Sequence, residues 1–570
     1  MKDETPAPNR NDWFAVGACL LLAIGWSFYA QHRWPTKPYV PPAHVAAVVA
    51  PVPVPTLSAA PASAAPATPA APEERPILEN DQIRVTFTSH GAGIVQVELK
   101  QHAVVKGGTP VILNSGAAFD QAPPLPIFAV SGWEGTPDAA YQIDKSAAAA
   151  ANSVTFTRVL ADGVKIERTY TLDAGYHILL AQRLTNGGTQ AAVLPAYQLE
   201  IGTAQALYPG DQPTYVAANW ATPEGGFGRV LATDFAFSKG FLGLFGGHPA
   251  YDLKASPTEP LAWGAIKNRF FTVVLVPPAT DPIQAVVARP AHGPLLLPGL
   301  EASARFEPVS LAAGEIRAGN YTLYAGPKDH AELKALGQGE ERIMEYGWWG
   351  WVAVPLTRVM EEMHHYIPNY GWVIILLTLI LKGIFWPLQS AANRSMKQMQ
   401  AVGPKQKELA EKHKDDPQKL QAETMKLYKE YGVNPVGGCL PMLIQIPIFF
   451  GFYTMLQSAG QFQHQSWFWV HDLVQPDTIG HIFGFAINPL PIVMALTQFG
   501  LMKITPQASD NPQMKVMQFM PFVMLIIFYK FAAALSLYWT VNNLVTMVQT
   551  WRNLRKPVPV LTRIKKAKKR

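Results

Sequence analysis

The residues of this chain that could do chemistry stand where water is scarce. Lys382 interrupts the apolar run GWVIILLTLILKGIFWPLQ (371–389), and Thr378 precedes it by one helical turn on the same face. A charge within lipid costs roughly 2.5–3.5 kcal/mol at a helix centre on the lowest scales, so such a lysine marks a functional site or a side chain that reaches back to the interface. Gln445 lies in a second apolar run, between Pro441 and Pro447, each of which removes a backbone hydrogen bond. In a third run Tyr538, Asn542, Thr546 and Gln549 recur at spacings of four, four and three, which is one helical face. Trp539 and Asn543 lie beside it. A single polar residue could merely hold helices together. A lysine, a glutamine and a polar stripe on three helices point to a wet, positively charged cavity within a bundle. In low effective dielectric Lys382 would act on acidic or polar segments there more strongly than in water.

Covalent chemistry finds little support. There is no GxSxG, no phosphate loop and no HExxH. Histidines 90, 102, 177, 248 and 292 are scattered, and the two cysteines, Cys19 and Cys439, sit in or beside apolar runs. No disulfide framework, metal site or cofactor is expected. Met514, Met517, Met520 and Met524 recur at near-helical spacing. Methionine suits promiscuous apolar contact, although core packing explains them about as well.

These residues need elements to position them. The chain has 570 residues, a formal charge of +6 and 49% apolar content. That length asks for more than one folding unit. The apolar runs crowd into 13–30 and 371–551. Residues 13–30 (WFAVGACLLLAIGWSFYA) are about long enough to span a bilayer. A cleaved signal peptide is the rival reading, but Phe28 and Tyr29 before Ala30 make a poor cleavage site, so an uncleaved anchor after the short start 1–12 is expected. Within 31–76, the stretch from Pro38 to Pro72 holds no Lys, Arg, Asp or Glu, which describes a semi-rigid, polyproline-like tether.

Residues 77–325 change period. Ile83, Val85 and Phe87 alternate with polar residues, as do Val95, Val97 and Leu99, and Val154 with Phe156. Asp162-Gly163 is a hairpin signal before Val164 and Ile166, and 270–276 and 321–324 read as further strands. A large all-β antiparallel sandwich follows, whose face could bind sugar or peptide. Within 326–370, the stretch 346–366 mixes tryptophans with Arg358, Glu361 and Glu362, as a helix lying along a membrane surface does. A packed soluble helix is the alternative. Residues 390–434 read as a charged helical hairpin, one helix from about 391 to 413 with a possible bend at Gly403-Pro404. The second is capped by Asp416, begins at Pro417 and stops near Gly432, with Leu420, Leu427 and Tyr428 set to meet Leu409. Four more apolar runs fill 435–551, at about 439–457, 487–502, 516–533 and 535–551, before a basic tail, 552–570. The fold class is therefore a membrane protein with a five-helix transmembrane core, an N-terminal anchor helix and an antiparallel sandwich.

Charge sets the orientation. The hairpin carries Arg394, Lys397, Lys405, Lys407, Lys412, Lys414, Lys419, Lys426 and Lys429, while 458–487 carries no Lys or Arg. Basic loops stay cytoplasmic. Alternation puts the hairpin, the 503–515 loop, the tail and the N-terminus inside, and the sandwich with 458–487 outside. Lys382 then lies in the inner-leaflet half of its helix, roughly 9 Å below Leu388 at 1.5 Å per residue.

Three stretches carry a resemblance. GVNPVGGCLPMLIQIPIFFGFYTML (432–456), the KG…WPL pattern around Lys382 and LYWTVNNLVTMVQ (537–549) resemble the YidC-type membrane protein insertases in their Gram-negative form, whose large periplasmic domain the sandwich would supply. The resemblance implies an inner-membrane protein with a hydrophilic groove open to cytoplasm and lipid. Nascent hydrophobic segments would enter it and leave into the bilayer, with no chemical reaction. It implies a positive groove residue, matched here by Lys382 where relatives usually carry arginine. Lysine keeps the charge and loses the bidentate fork. Thr378, Gln445 and Trp539 match groove- or substrate-facing positions, and Tyr538, Asn542 and Thr546 would join them. Phe449, Met517, Met520 and Met524 would form an apolar slide for the departing segment. Partners implied are nascent membrane proteins, the lipid bilayer, the Sec translocon, and the ribosome through the basic tail and cytoplasmic loops, with no recognition of nucleic-acid sequence. Two rival classes remain: a transporter using Lys382 as a solute or proton site, against which no internal repeat is visible, and a sugar-binding envelope protein built on the sandwich.

Overall fold

The computed structural model describes residues 72–555, apart from 105–106, 115–123, 134–136, 138, 145–151, 207–210, 212, 237–248, 293–297, 415, 434–439, 484 and 506–518. The expected anchor at 13–30, nearly all of the tether and the tail beyond 555 lie outside the described residues, as do Cys19, Cys439, Met514 and Met517.

Alternating apolar residues build the β region. Ile83, Val85 and Phe87 are fully buried on the strand Ile83–Thr88, while Arg84 between them is exposed. Val97 and Leu99 are buried likewise, but Val95 is only half-buried. A register shift between Thr86 and Phe87 interrupts the two-residue period there. At the expected hairpin turn Gly163 takes a φ of 82°, and the Asp162 carboxylate accepts from the Val164 amide at 3.1 Å. The main sheet has nine antiparallel strands, with Trp263–Lys267, Phe271–Val276 and Ile316–Pro327 near its middle. A five-stranded sheet that includes Tyr197–Ala204 and Pro298–Phe306 packs against it. Every residue of Trp263–Lys267 is buried, so this strand has no outward face and no polar alternation.

The chain leaves the sandwich through a short helix, α1 (His330–Ala335), whose N-cap Asp329 accepts from the amides of Ala331 and Glu332. The helix α2 (Gly350–Tyr366) buries Ala353, Leu356, Thr357 and Met360 and exposes Trp351 and Val359 on its other side. Glu345, in a left-handed turn with φ 51°, ties the exit to the sheet. Its carboxylate takes Lys267 at 3.0 Å, Arg229 at 2.7 Å and the Asn219 amide at 2.9 Å.

The helix α3 (Tyr370–Ile384) starts at Asn369, whose side chain accepts from the Gly371 and Trp372 amides. Gly371 is required there, because a methyl group would strike the Trp467 indole. The apolar run expected to cross as one element to 389 breaks at Phe385. There α3 gives way to α4 (Trp386–Lys412) at an angle of 62°. Pro387 in the first turn of α4 is the cause, since it lacks an amide proton and its ring clashes with a continuing helix. α4 then runs through Pro404 as one helix. It pairs with α5 (Pro417–Tyr431), which Asp416 caps through the Lys419 amide and Gly432 ends at φ 62°. The contact forms around Val402, Tyr428 and Val433, a turn or two before the expected Leu409.

The remaining helices are α6 (Leu440–Ser458), α7 (Pro489–Ile504), α8 (Met520–Phe528) and α9 (Ala533–Leu554). The expected run at 516–533 is thus helical only over α8 among the described residues. No single described helix is both long and apolar enough to cross a membrane by itself; the bent pair α3–α4 passes that test together, and α7 is a shorter apolar helix. The sandwich and the helices share contacts. Tyr215 donates to Gln457 at 2.9 Å, Arg269 to the Val474 carbonyl at 3.3 Å, and His464 bonds the Ala103 carbonyl at 2.6 Å.

Candidate functional site

Three helices bring the sequence-predicted polar residues to one place. A cavity of about 40 Å³ is lined by Thr378, Leu381 and Lys382 of α3, Leu388 and Gln389 of α4, Gln445 and Ile448 of α6, and Tyr538 and Asn542 of α9, with Phe385 at the bend. The helical periods explain the convergence. Thr378 and Lys382 are four residues apart on α3, and Tyr538, Asn542 and Thr546 form one stripe on α9. The two stripes face each other where α3 packs on α9.

The Lys382 ammonium donates to the Thr546 hydroxyl at 2.9 Å, and that hydroxyl donates to the Asn542 carbonyl at 2.6 Å. Among the described residues, no carboxylate lies within ion-pair distance of Lys382. The Thr378 hydroxyl donates to the Ile374 carbonyl at 2.7 Å, so it faces the cavity as an acceptor only. The Gln445 amide donates to the Tyr538 hydroxyl at 3.1 Å. Tyr538 stacks on Phe452 with ring centroids 5.0 Å apart. The site is therefore one ammonium held by a hydroxyl, with neutral amides and a phenol around it. It can attract and orient anionic or polar groups, and it presents no base–nucleophile pair. Among the described residues, no cluster of three metal-ligating side chains occurs.

Trp539 lies elsewhere. It is one residue on from Tyr538, so it points about 100° around α9. Its indole packs on Phe449 at 5.2 Å and Phe528 at 5.7 Å and donates to Gln498 at 3.2 Å. Asn543, beside it, donates to the Thr497 hydroxyl at 3.2 Å. Phe449 and Met524 are partly buried against the core, and Met520 is 39% exposed. Phe449, Trp539 and Phe528 thus form an aromatic group on the α7–α8 side. Gln549, last of the stripe, is buried with neither amide atom bonded among the described residues.

Gln389 and Gln498 escaped the reading of the sequence. Gln389 is seven residues after Lys382, a spacing that shares a helical face, and it lines the same cavity from beyond the bend at Phe385. Gln498 could have been found beside Thr497 as a polar pair in the mostly apolar helix α7.

Further along α4, the Lys397 ammonium bonds the Asn553 carbonyl near the end of α9. Arg552 lies over the Trp386 ring at 5.4 Å. These contacts tie the hairpin and the start of the basic tail to the base of the cavity.

Comparison with known proteins agrees along the chain. Residues 362–558 match the family described as 60Kd inner membrane protein, and residues 77–359 match the YidC periplasmic domain. A membrane protein insertase YidC of Herminiimonas arsenicoxydans is 33% identical over 398 residues, covering 68% of this chain and 67% of that protein. One of Janthinobacterium sp. (strain Marseille) is 31% identical over 491 residues, covering 83% of each. Among solved structures, an active YidC insertase with its first transmembrane domain resolved covers 84% of this chain and 93% of that one, at 16% identity and a TM-score of 0.35.

Proposed function

The chain belongs to the YidC family of membrane protein insertases, and we propose that it inserts its clients through the cavity around Lys382. It is a bacterial inner-membrane protein with a periplasmic domain, and its work is insertion, not covalent catalysis. In our reading the hairpin 390–434 receives a nascent segment in the cytoplasm. The short polar flank of that segment pauses beside Lys382, Thr546, Asn542, Gln445, Tyr538 and Thr378. The apolar part then leaves for lipid past Phe449, Trp539, Met520 and Met524, with Met517 as a further candidate.

One observation carries this reading. Lys382 is a half-buried ammonium that faces a cavity and, among the described residues, bonds a hydroxyl and no acid. A partly screened cation without a counter-charge acts strongly on an acidic group that enters beside it. We infer further that residues 31–370 are periplasmic, with 77–325 as the sandwich and 326–370 as linker and interfacial helix. Both termini, the hairpin and the tail 552–570 are cytoplasmic in this reading, and 13–30, 371–389 and 435–551 lie in the membrane. The basic tail and the cytoplasmic loops would assist ribosome contact, and the Sec translocon would share some clients.

Reconstituted vesicles test the mechanism. Lys382→Ala should lower insertion of a client with an acidic N-terminal tail about tenfold, the equivalent of ~1.4 kcal/mol, and Lys382→Arg should preserve it. Equal insertion by Lys382→Glu would remove charge attraction from the mechanism.

A further inference from the structure

A second cavity, of about 300 Å³, opens between α1 and α2 and is lined by His330, Lys334, Thr357, Arg358 and Glu361. Its volume is about ten times the share of one water in the liquid. Its lining sets side chains of both charge signs beside Ala331 and Ala335. Arg358 and Lys334 are exposed at its rim, while Glu361 and His330 are half-buried. The His330 Nδ1 atom is buried with no hydrogen-bond partner among the described residues. Gln461 bonds one oxygen of the Glu361 carboxylate.

The position of the cavity says what could reach it. Arg358 follows Trp351 by seven residues, which brings the cation and the indole to one face of α2. Trp351 is 66% exposed and Trp348, one turn earlier, is 75% exposed. Exposed indoles with a neighbouring cation on a surface-lying helix mark the headgroup level of a bilayer. A guanidinium and an ammonium suit a phosphate, and the guanidinium can engage it through two parallel hydrogen bonds. A carboxylate one turn along suits a primary ammonium.

We propose that this cavity binds a phosphoethanolamine group, with Arg358 and Lys334 on the phosphate and Glu361 on the ammonium. The proposal rests on the reading that α2 lies on the outer face of the membrane. Burial, together with the nearby Asp329, pushes the Glu361 carboxyl up to about 7, against the pull of Arg358 and Gln461. A carboxylate so poorly stabilised gains more from an incoming cation than an ordinary surface glutamate would.

The test uses the full-length protein in nanodiscs made from matched-chain phosphatidylethanolamine, phosphatidylglycerol and phosphatidylcholine in equal parts. Lipid retained after detergent extraction is counted by native mass spectrometry. Phosphatidylethanolamine should be enriched about tenfold over the other two. Glu361→Gln should remove the preference for ethanolamine over choline, and Arg358→Gln should lower retention of all three lipids. Soluble phosphoethanolamine added in excess separates the sources. If the lipid stays bound, the bilayer supplies the group; if it is displaced, a soluble phosphoethanolamine ester serves as well, and the chemistry stands. Equal retention of the three lipids, or a preference unaltered in Glu361→Gln, would overturn the proposal. Placement is read separately from the cavity and from Lys382. Ala335→Cys should react with an impermeant maleimide in intact spheroplasts, and protection there would overturn the orientation that the site needs.

Discussion

The sandwich and the helical core both hold cations away from open solvent, fully in one case and half-way in the other, and they treat them differently. In the sandwich, Arg168 is completely buried and bonds the Gln182 side chain at 3.0 and 2.9 Å and the Phe128 carbonyl at 2.8 Å. Lys267, also enclosed, has the Glu345 carboxylate at 3.0 Å and the Ile343 carbonyl at 3.3 Å. In the helical core, the donor of Lys382 meets the Thr546 hydroxyl and an open cavity. The first arrangement is complete and therefore rigid. The second leaves the charge with capacity for a visitor. Shielded charge thus serves architecture in one region and, in our reading, reception in the other.

The largest effect should come from breaking the sandwich arrangement. Glu345→Ala leaves Lys267 buried without its carboxylate, and should cost ~3–5 kcal/mol of stability, read by thermal melting of the full chain in detergent. The pH dependence sharpens the point. Burial opposes the Glu345 carboxylate, but the Lys267 ammonium and the Arg229 guanidinium outweigh it and hold the group down at about 2, against an ordinary 4.5. A depressed carboxyl contributes in full above its unfolded value and loses that contribution as pH falls through the folded one. The deficit of Glu345→Ala should therefore shrink on acidification from about pH 4.5 toward pH 2. A deficit constant over that range would mean that the carboxylate's charge is not what matters.

A middle-sized effect of opposite sign is expected at Glu200, where the sandwich leaves a carboxyl poorly served. Burial first, and then the nearby Glu301, push it up to about 8 from an ordinary 4.5, with Arg289 opposing. A raised carboxyl contributes stability that is complete below its unfolded value and is lost as pH rises through the folded one. Glu200→Gln should accordingly gain stability near pH 8, on the order of a few kcal/mol, and nothing at pH 4. The same gain at both pH values would assign it to packing.

The smallest change in stability is expected at Lys382. Removing a cation that bonds one hydroxyl should alter stability by less than about 1 kcal/mol, even as insertion of acidic-tailed clients falls. If Lys382→Ala melted as early as Glu345→Ala, the contrast between the two regions would collapse and Lys382 would be structural.

How far the sequence revealed this depended on distance along the chain. The face of α9 that carries Tyr538, Asn542 and Thr546 was legible because one helical period relates them. The cap of α5 was legible because Asp416 and Pro417 are adjacent. The burial of Ile83, Val85 and Phe87 followed from a two-residue alternation. What escaped depends on partners far away in sequence. The partner of Arg168 is fixed by strand pairing over fourteen residues and by the Phe128 carbonyl forty residues away. The ties of Glu345 reach back to Asn219, Arg229 and Lys267. Trp539 shared a motif with Tyr538, but one residue is a large rotation about a helix, and its indole went to Gln498 and the aromatic group. Gln389 stands seven residues from Lys382, the same one-face spacing, and was legible from it.

The bend between α3 and α4 gives the molecule a lever with unequal arms. Lys382 is three residues from the fulcrum at Phe385, while α4 extends 27 residues beyond it, or about 40 Å at 1.5 Å per residue. Turning α4 by about 10° at Phe385 would sweep its far end through about 7 Å and shift the Lys382 backbone by less than about 1 Å. In our reading, where the hairpin receives clients, such a turn would carry its far end through a wide arc while leaving Lys382 almost in place, at the cost of the Lys397–Asn553 contact.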